Sequence, residues 1–159
     1  MSVSVLFVCL GNICRSPTAE GLFKAQLEKV GLEDVVATDS AGTGGWHTGN
    51  PPDKRAISAA AERGIDISVL RARQVQAVDF DRFDYVLAMD SANLSDLQAL
   101  RPEGFTGQLS LFLDYAQDTA QTQVPDPYYG GDEGFEHVLD LIEQAAEGLL
   151  ADIRQRHLT

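Results

Sequence analysis

The fold of this chain is decided by residues 3–17, which read VSVLFVCLGNICRSP. Residues 3–8 are almost all apolar, and β-branched and aromatic types among them predict a buried strand. Pro17 is at home in the first turn of a helix, and Ser16 before it is predicted to be the helix N-cap. We therefore expect a strand, a tight loop and a helix, with backbone N–H groups aimed at one point that favours an anion.

The residue types in this loop predict a nucleophile beneath a phosphate-shaped cradle. Gly11 and Asn12 tolerate the left-handed backbone angles that a tight cradle needs. Arg15 can donate two parallel N–H groups to a phosphate or a similar oxyanion. Cys9, at the strand end, would lie at the bottom of the cradle, where the same donors favour a thiolate. The alternative is that Cys9 is only the last buried residue of a core strand.

Three motifs, in this order along the chain, resemble the signatures of one enzyme family. They are CLGNICRSP at residues 9–17, DSAGT at residues 39–43 and DPYYG at residues 126–130. With these motifs the chain resembles the low-molecular-weight protein tyrosine phosphatases from Val5 to the C-terminal helix. The resemblance implies hydrolysis of phosphotyrosine and small aryl phosphates through a phosphocysteine intermediate.

The resemblance also implies a catalytic role for three side chains. Cys9 would be the nucleophile, Arg15 would bind the phosphoryl group, and Asp126 would protonate the leaving oxygen and later deprotonate the attacking water. From the residues alone the acid stays open, because the long segment 116–134 offers several carboxyl groups. Those candidates are Asp118, Asp126, Asp132 and Glu133. A Pro-Asp-Pro turn without catalytic function is the alternative for Asp126.

Further residues of the site follow from the same resemblance. Those expected to bind substrate or phosphate within the loop are Leu10, Gly11, Asn12, Ile13, Cys14 and Ser16. Ser16 is matched to a donor to the cysteine sulfur, and Ser40 to a residue that supports Asn12 by a hydrogen bond. Trp46, Tyr128 and Tyr129 are expected to form apolar walls around a phenyl ring. A core position is the alternative for Trp46, although the glycines around it favour a loop.

One stretch departs from the family pattern. Many members carry a histidine just before the Arg-Ala-Arg-Gln sequence, where it supports the phosphate loop. Here Val69 and Leu70 precede residues 71–74, so that support is missing. The departure puts in doubt how rigid the loop is.

Bulk properties are those of one globular domain. A chain of 159 residues fits a single domain, residues 1–159. The N-terminal apolar run lacks the basic flank of a signal peptide, and no stretch approaches the roughly 20 apolar residues of a membrane span. Two cysteines, one of them a candidate nucleophile, make no disulfide framework. We therefore expect a cytoplasmic protein without a membrane partner.

The net charge argues against a nucleic-acid-binding protein, and the placement of the histidines argues against a metalloprotein. A formal net charge of −12 argues against a nucleic-acid partner, because such binding usually rests on a basic surface. The acidic charge does not exclude phosphate binding, since the loop and Arg15 set the local field. His47, His137 and His157 are scattered without ligand spacing, so neither a metal site nor a cofactor is predicted.

Strand and helix signals alternate along the whole chain. Strands are predicted at residues 3–8, 35–38, 85–89 and 109–113. Helices are predicted up to Gly31, from Pro52-Asp53 to Gly64, at 91–100 and from about 135 to 156. This order predicts an α/β three-layer sandwich with a four-stranded parallel sheet and helices on both faces. Ligands of such sheets bind beyond the carboxyl ends of the strands, where Cys9, Ser40 and Asp90 fall.

The function expected from these observations is that of a protein-tyrosine phosphatase. Its partners would be tyrosine-phosphorylated proteins and a tyrosine kinase, and the protein is expected to be a monomer. Three alternatives stay open: an arsenate reductase that depends on external thiols, a protein arginine phosphatase, and a silent phosphotyrosine-binding module. Ile13 argues against the arginine phosphatase, which usually has threonine there. The silent module is expected to lose Cys9, Arg15 or Asp126, and the chain has all three.

Cys14 gives the loop a second thiol and a regulatory hypothesis. An accessible thiolate oxidises to a sulfenic acid, and a nearby thiol can trap that state as a disulfide. We therefore predict a reversible Cys9–Cys14 bridge under peroxide. The alternative is that Cys14 only packs beneath the loop.

Overall fold

The computed structural model describes residues 2–117, 119–127 and 132–158, with Asp132 and Glu133 through their backbone alone. The strands of this part of the chain form one parallel sheet in the order β2-β1-β3-β4. They are β1 (Val3–Cys9), β2 (Val36–Gly42), β3 (Tyr85–Ala88) and β4 (Gln108–Leu111). The α-helices are α1 (Arg15–Lys29), α2 (Lys54–Glu62), α3 (Asp79–Arg82), α4 (Ser91–Leu100) and α5 (Asp132–His157). A short 3₁₀ helix, Phe112–Tyr115, follows β4.

Strand β1 lies inside the sheet and is buried on both faces. Its side chains alternate, so Val5 and Phe7 pack in one apolar cluster with residues of α1, α2 and α5. Leu6 and Val8 point the other way and pack in a second cluster with residues of α3 and α4. Burial on both faces explains why β1 is a nearly continuous apolar run instead of an alternating one. The predicted three-layer α/β sandwich is confirmed.

Several element boundaries differ from the sequence-based predictions. Strand β2 runs to Gly42, beyond the predicted end at Thr38, because all its residues pair in register with β1. The polar residues Asp39 and Ser40 therefore lie inside a strand. Strand β4 ends at Leu111, since the chain turns into the 3₁₀ helix that buries Phe112 and Leu113.

The start of α1 corrects one prediction about Ser16. The helix begins at Arg15, and its N-cap is Cys14, which makes no side-chain capping hydrogen bond. Ser16 lies one residue inside the helix, and its hydroxyl is used by groups outside the first turn. Thr18, within the first turn, donates from its hydroxyl to the Cys14 carbonyl oxygen at 2.7 Å and so caps no free N–H either. Ser16 does not cap the helix because its hydroxyl instead contacts Cys9 Sγ and accepts from Asn12.

The parallel sheet brings three loops to one edge. The segments that follow β1, β2 and β3 all leave the sheet at its carboxyl edge. Met89, just after β3, also accepts a backbone hydrogen bond from Val124, which draws the segment before Asp126 to the same edge. In the residues described, no helix has the length and apolar character to span a membrane.

Candidate active site

The nucleophile candidate lies where β1 meets the loop. Cys9 is the last residue of β1 and only 2% exposed. Its Sγ receives the backbone N–H of Asn12 at 3.3 Å and lies 3.0 Å from the Ser16 hydroxyl oxygen. Donors aimed at a sulfur stabilise its anionic form. The Asn12 N–H and the Ser16 hydroxyl thus both lie within hydrogen-bond distance of the sulfur.

Asn12 holds the loop in its shape. Its φ is +58°, a left-handed angle that costs a non-glycine residue free energy and persists only where the surroundings impose it. The Nδ2 group donates to Ser16 Oγ at 2.8 Å and to Ser40 Oγ at 3.0 Å. The Oδ1 atom accepts the backbone N–H of Arg73 at 3.0 Å. Helix α1, strand β2 and the segment after α2 therefore support the strained residue, and Ser40 lies where the resemblance implies.

The segment around Arg73 provides support to the loop in a chain without the family's histidine. Val69 is 74% exposed and Leu70 packs at the edge of the core, so neither takes that role by side chain. The Arg73 backbone does so instead, with its guanidinium held by Asp39 and Asp79 at 3.0 Å each. The loop is therefore supported by a main-chain donor that a side-chain substitution does not remove.

Close backbone contact ties the loop to the end of β2. Thr43 and Gly44 donate their N–H groups to the carbonyls of Cys9 and Leu10, both at 2.9 Å. A Cβ at Gly42 would lie 2.8 Å from the Leu10 carbonyl oxygen, so a side chain there would push the two segments apart. Glycine in the DSAGT motif is explained by this approach.

The guanidinium of Arg15 is buried and held from two sides. It is 2% exposed, and its Nη1 donates to Asp90 Oδ2 at 2.7 Å and to the Val124 carbonyl at 3.1 Å. Asp90 is itself fixed as the N-cap of α4, accepting the Asn93 N–H on its other oxygen at 2.8 Å. Such contacts orient the planar group before any ligand arrives.

The Asp126 carboxylate lies beside the same guanidinium. Its Oδ2 is 3.7 Å from Arg15 Nη2, and its side chain is 34% exposed. Among the other candidate acids, Asp118 lies outside the described residues, and for Asp132 and Glu133 only the backbone is described. The described geometry therefore brings Asp126 next to a group suited to bind phosphate.

These residues surround one cavity of about 330 Å³. Its lining consists of Cys9, Leu10, Gly11, Ile13, Cys14, Arg15, Trp46, His47 and Asp126. Trp46 is 71% exposed, which rules out a core position and makes it part of the rim. Tyr128 and Tyr129, the other expected wall residues, lie outside the described residues. A larger groove of about 680 Å³ between α2 and α5 is lined by none of the loop residues.

Cys14 also lines the cavity, but with a different environment from Cys9. Burial raises the pKa of the Cys14 thiol well above its ordinary value, and the negative charge of Asp53 adds to the effect. Cys14 is therefore a neutral thiol at physiological pH. Both cysteines are free.

Comparison with known proteins is consistent with this geometry. Residues 4–158 match the family model for low molecular weight phosphotyrosine protein phosphatases. Over 153 residues the chain is 46% identical to the low molecular weight protein-tyrosine-phosphatase YfkJ of Bacillus subtilis, covering 96% of this chain and 97% of the relative. The chain belongs to the low molecular weight phosphotyrosine protein phosphatase family. It is by class a protein-tyrosine phosphatase, and thus a hydrolase.

Solved structures agree on the fold of this phosphatase. The crystal structure of a protein tyrosine phosphatase from Entamoeba histolytica superposes with a TM-score of 0.93 at 39% identity, covering 97% of this chain and 98% of that one. A Drosophila arginine phosphatase superposes with a TM-score of 0.88 at 33% identity, covering 94% and 97% of the two chains. The fold is thus shared by enzymes with different named substrates.

Sequence reasoning missed some residues of the phosphatase site. The sequence predicts Asp90 only at a strand end, whereas the structure shows that this carboxylate caps α4 and holds Arg15. Arg73 contributes through its backbone, which leaves no signal in residue type. His47 has no ligand spacing in the sequence, yet it lines the cavity and packs over Gly11, with its ring 3.0 Å from where a Cβ on that glycine would stand. The described residues contain no group of three or more His, Cys, Asp or Glu suited to hold a metal ion.

Proposed function

We propose that this phosphatase hydrolyses phosphotyrosine in proteins, and small aryl phosphates, through a phosphocysteine intermediate. The observation that carries the proposal is the meeting of the Cys9 sulfur, the Arg15 guanidinium and the Asp126 carboxyl on one cavity. Each has the chemistry that one part of the reaction needs. Asp126 is far along the chain from the loop that holds Cys9 and Arg15, so its arrival at the same cavity is a property of the fold.

In the first step the Cys9 thiolate attacks phosphorus, so that a P–S bond forms and the P–O bond to the phenol breaks. Asp126, protonated in this step, gives its proton to the departing phenolate oxygen. Arg15 and the loop N–H groups bind the phosphoryl oxygens, whose charge is the main thing to be stabilised in the transition state. Hydrogen bonds to Asp90 and to the Val124 carbonyl fix the Arg15 guanidinium, so it need not reorient during the reaction.

In the second step water attacks the phosphocysteine and the sulfur leaves. The Asp126 carboxylate, which lost its proton in the first step, accepts a proton from the water. The products are inorganic phosphate and the Cys9 thiolate. The Asn12 N–H and the Ser16 hydroxyl, at 3.3 and 3.0 Å from Sγ, stabilise the leaving sulfur. Ser16 thus assists departure of the thiolate.

The shape of the cavity supports an aryl substrate. Cys9 lies at its bottom, whereas Leu10 and Trp46 are exposed at its rim. A phosphate on a phenyl ring reaches a deep sulfur more easily than one on a short serine side chain. Leu10, Ile13 and Trp46 would contact the two sides of the ring, with Tyr128 and Tyr129 as further wall residues.

The proposal includes the setting of the enzyme. We place it in the cytoplasm, because both cysteines are free and a thiol nucleophile needs a reducing compartment. Its substrates would be tyrosine-phosphorylated proteins, produced by a tyrosine kinase. We propose that residues 1–159 act as one domain and as a monomer, with no cofactor.

A side-by-side turnover assay tests the substrate. We expect turnover of phosphotyrosine peptides and little of phosphoserine peptides at equal concentration. The Drosophila neighbour makes protein arginine phosphatase the second candidate, and faster release of phosphate from phosphoarginine would establish it instead. Arsenate reduction that depends on an added thiol such as glutathione would favour the reductase.

A further inference from the structure

A buried carboxyl group that the reaction does not use lies behind the loop. Glu20 is on α1 and only 8% exposed. Its Oε1 accepts the hydroxyl proton of Ser40 at 2.7 Å. A buried charged group is costly unless it is bound by partners, so its presence behind the site requires an explanation.

Glu20 is the far end of a chain of hydrogen bonds that reaches the nucleophile. Ser40 Oγ accepts from Asn12 Nδ2 at 3.0 Å, and the same Nδ2 donates to Ser16 Oγ at 2.8 Å. Ser16 Oγ is in turn 3.0 Å from Cys9 Sγ. A serine hydroxyl has a single proton. When Ser40 gives its proton to Glu20, its lone pairs remain for Asn12.

The Ser16 hydroxyl also has a single proton, and this limits which hydrogen bonds it can donate. Because Ser16 Oγ accepts from Asn12, its own proton is available to the Cys9 sulfur or to the Ala41 carbonyl, 3.3 Å away. An Asn12 amide held by Ser40 therefore keeps a donor on Ser16 Oγ and leaves the Ser16 proton free to reach the sulfur. An ionised Glu20 can only accept, so it fixes the direction of the Ser40 bond, whereas the Asn12 amide donates to Ser40 and Ser16 in either state of Glu20.

The surroundings of Glu20 place its ionisation near neutrality. Burial raises its pKa to about 7, the Ser40 hydrogen bond lowers it, and the negative charge of Asp39 on β2 raises it. The cations facing it are Lys24 on its own helix and Arg73 on the segment after α2, and both lower the pKa. Small changes of pH around 7 therefore change its charge.

We propose that Glu20 is a positioning residue, whose carboxylate fixes the Ser40 hydroxyl as an acceptor for Asn12 and so holds the Asn12 amide, the shared donor to Ser40 and Ser16, in place beside Cys9. Protonation of Glu20 loosens this arrangement, since a neutral carboxyl is a weaker acceptor and its O–H competes with Asn12 for the Ser40 lone pairs. The role of Glu20 in turnover rests on the proposed function, but the hydrogen bonds between Glu20 and the Cys9 sulfur do not depend on it.

The first test compares wild type with Glu20→Gln, whose side chain has nearly the same shape as glutamic acid and is uncharged at every pH. The control is Glu28→Gln, an exposed residue on the same helix. We expect the ratio of wild-type to Glu20→Gln kcat/KM on an aryl phosphate to rise from near one at pH 5.5 to about fivefold at pH 8.5, the worth of one hydrogen bond. Ratios cancel the ionisations that both enzymes share. A ratio that does not change with pH, or that follows the Glu28→Gln control, would overturn the proposal.

The second test needs no turnover, so it separates this proposal from the proposed function. Iodoacetamide alkylation of Cys9, located by mass spectrometry, should be slower in Glu20→Gln than in wild type at pH 8.5. A carboxylate acting only through its charge would have the opposite sign, because its removal favours a nearby thiolate. Faster alkylation therefore contradicts the proposal, even if the enzyme is inactive on aryl phosphates.

The third test removes the Ser40 hydroxyl that links Glu20 to Asn12, and its Ser40→Ala measurement stands even if Glu20→Gln folds poorly. In a Ser40→Ala background, Glu20 has no hydroxyl through which to act. We expect Ser40→Ala to slow alkylation about as much as Glu20→Gln does, and the double variant to match Ser40→Ala at every pH. Additive effects of the two substitutions, or unchanged alkylation in Ser40→Ala, would overturn the proposed route.

Discussion

The two halves of helix α1 bury side chains of opposite character. The first half, residues 15–20, buries Arg15 and Glu20 together with two hydroxyl groups. The second half buries Leu22, Phe23 and Leu27 in the main core. Both halves belong to one continuous helix, so the difference lies in what each faces.

The two kinds of burial are stabilised differently. Each buried polar group of the first half has a hydrogen-bond partner, as Arg15 has Asp90 and Glu20 has Ser40. Such pairs largely offset the cost of removing polar groups from water and add little net stability. Phe23, by contrast, packs edge-on against Phe7 with 5.8 Å between ring centroids. We infer that the first half serves the reaction and the second half holds the fold together, and substitutions should separate the two.

The largest effect is expected where the first half of α1 meets the nucleophile. Cys9→Ser should lower kcat by on the order of 10⁴-fold or more, because a hydroxyl is a poor nucleophile at neutral pH. Phosphate or vanadate binding, measured by calorimetry, should be largely kept since the loop donors are unchanged. Substantial turnover in Cys9→Ser would contradict the covalent mechanism.

The next effect concerns the acid that faces Arg15. Asp126→Asn should lower turnover of phenyl phosphate about 10²- to 10⁴-fold, the usual contribution of a general acid. Esters with acidic leaving groups should lose much less, because their leaving oxygen needs little protonation. Rates over a leaving-group series measure this. Equal losses across the series would assign the acid to another residue, with Asp118 and Asp132 as the candidates.

The second half of α1 should respond in stability instead of chemistry. Phe23→Ala is expected to lower the free energy of unfolding by about 3–5 kcal/mol, since it leaves a cavity in a closely packed core. The folded fraction should keep wild-type kcat. Denaturant unfolding and activity at low temperature give the two numbers. A large loss of kcat in fully folded Phe23→Ala would break the division between the halves.

Glu20, in the first half of α1, makes the free energy of unfolding depend on pH. Its pKa is raised from 4.5 to about 7 in the folded protein. The unfolded chain therefore loses this proton first, and wild type loses stability as pH rises from about 4 through 7. Relative to Glu20→Gln, the loss should be on the order of 3 kcal/mol between pH 4 and pH 8.5. Urea unfolding at several pH values checks this, and a constant difference would contradict it.

The smallest effect concerns Cys14, the N-cap of α1. Peroxide oxidises the Cys9 thiolate to a sulfenic acid, which a Cys14 thiol can convert into a disulfide with release of water. Because Cys14 is a neutral thiol, the trapping should be slow, and recovery with dithiothreitol should exceed that of Cys14→Ser only severalfold. Equal recovery, with no bridged peptide by mass spectrometry, would make Cys14 structural alone.

Much of α1 and β1 could be predicted from residue order. The apolar run of β1, the loop residues 9–15 and the stop at Gly31, which has a φ of +74°, are local features. Short-range sterics and burial decide them, and both can be read along the chain. The N-cap prediction for Ser16 is wrong, because a serine favours that position by residue type but the fold places its hydroxyl beside the Cys9 sulfur.

Residue order alone is enough to predict the strand–helix alternation, the cradle around Cys9 and a carboxyl group between two prolines. The contacts of Arg15 with Asp90 and of Asn12 with the Arg73 backbone, and the raised pKa of Glu20, depend on the folded chain. The pairs Arg15–Asp90 and Asn12–Arg73 join groups that are 75 and 61 residues apart in the chain. The strand order β2-β1-β3-β4 brings the ends of separate strands together at one edge, and it is set by packing of the whole sheet. Local propensities do not contain that information, because the burial of a group depends on everything packed around it.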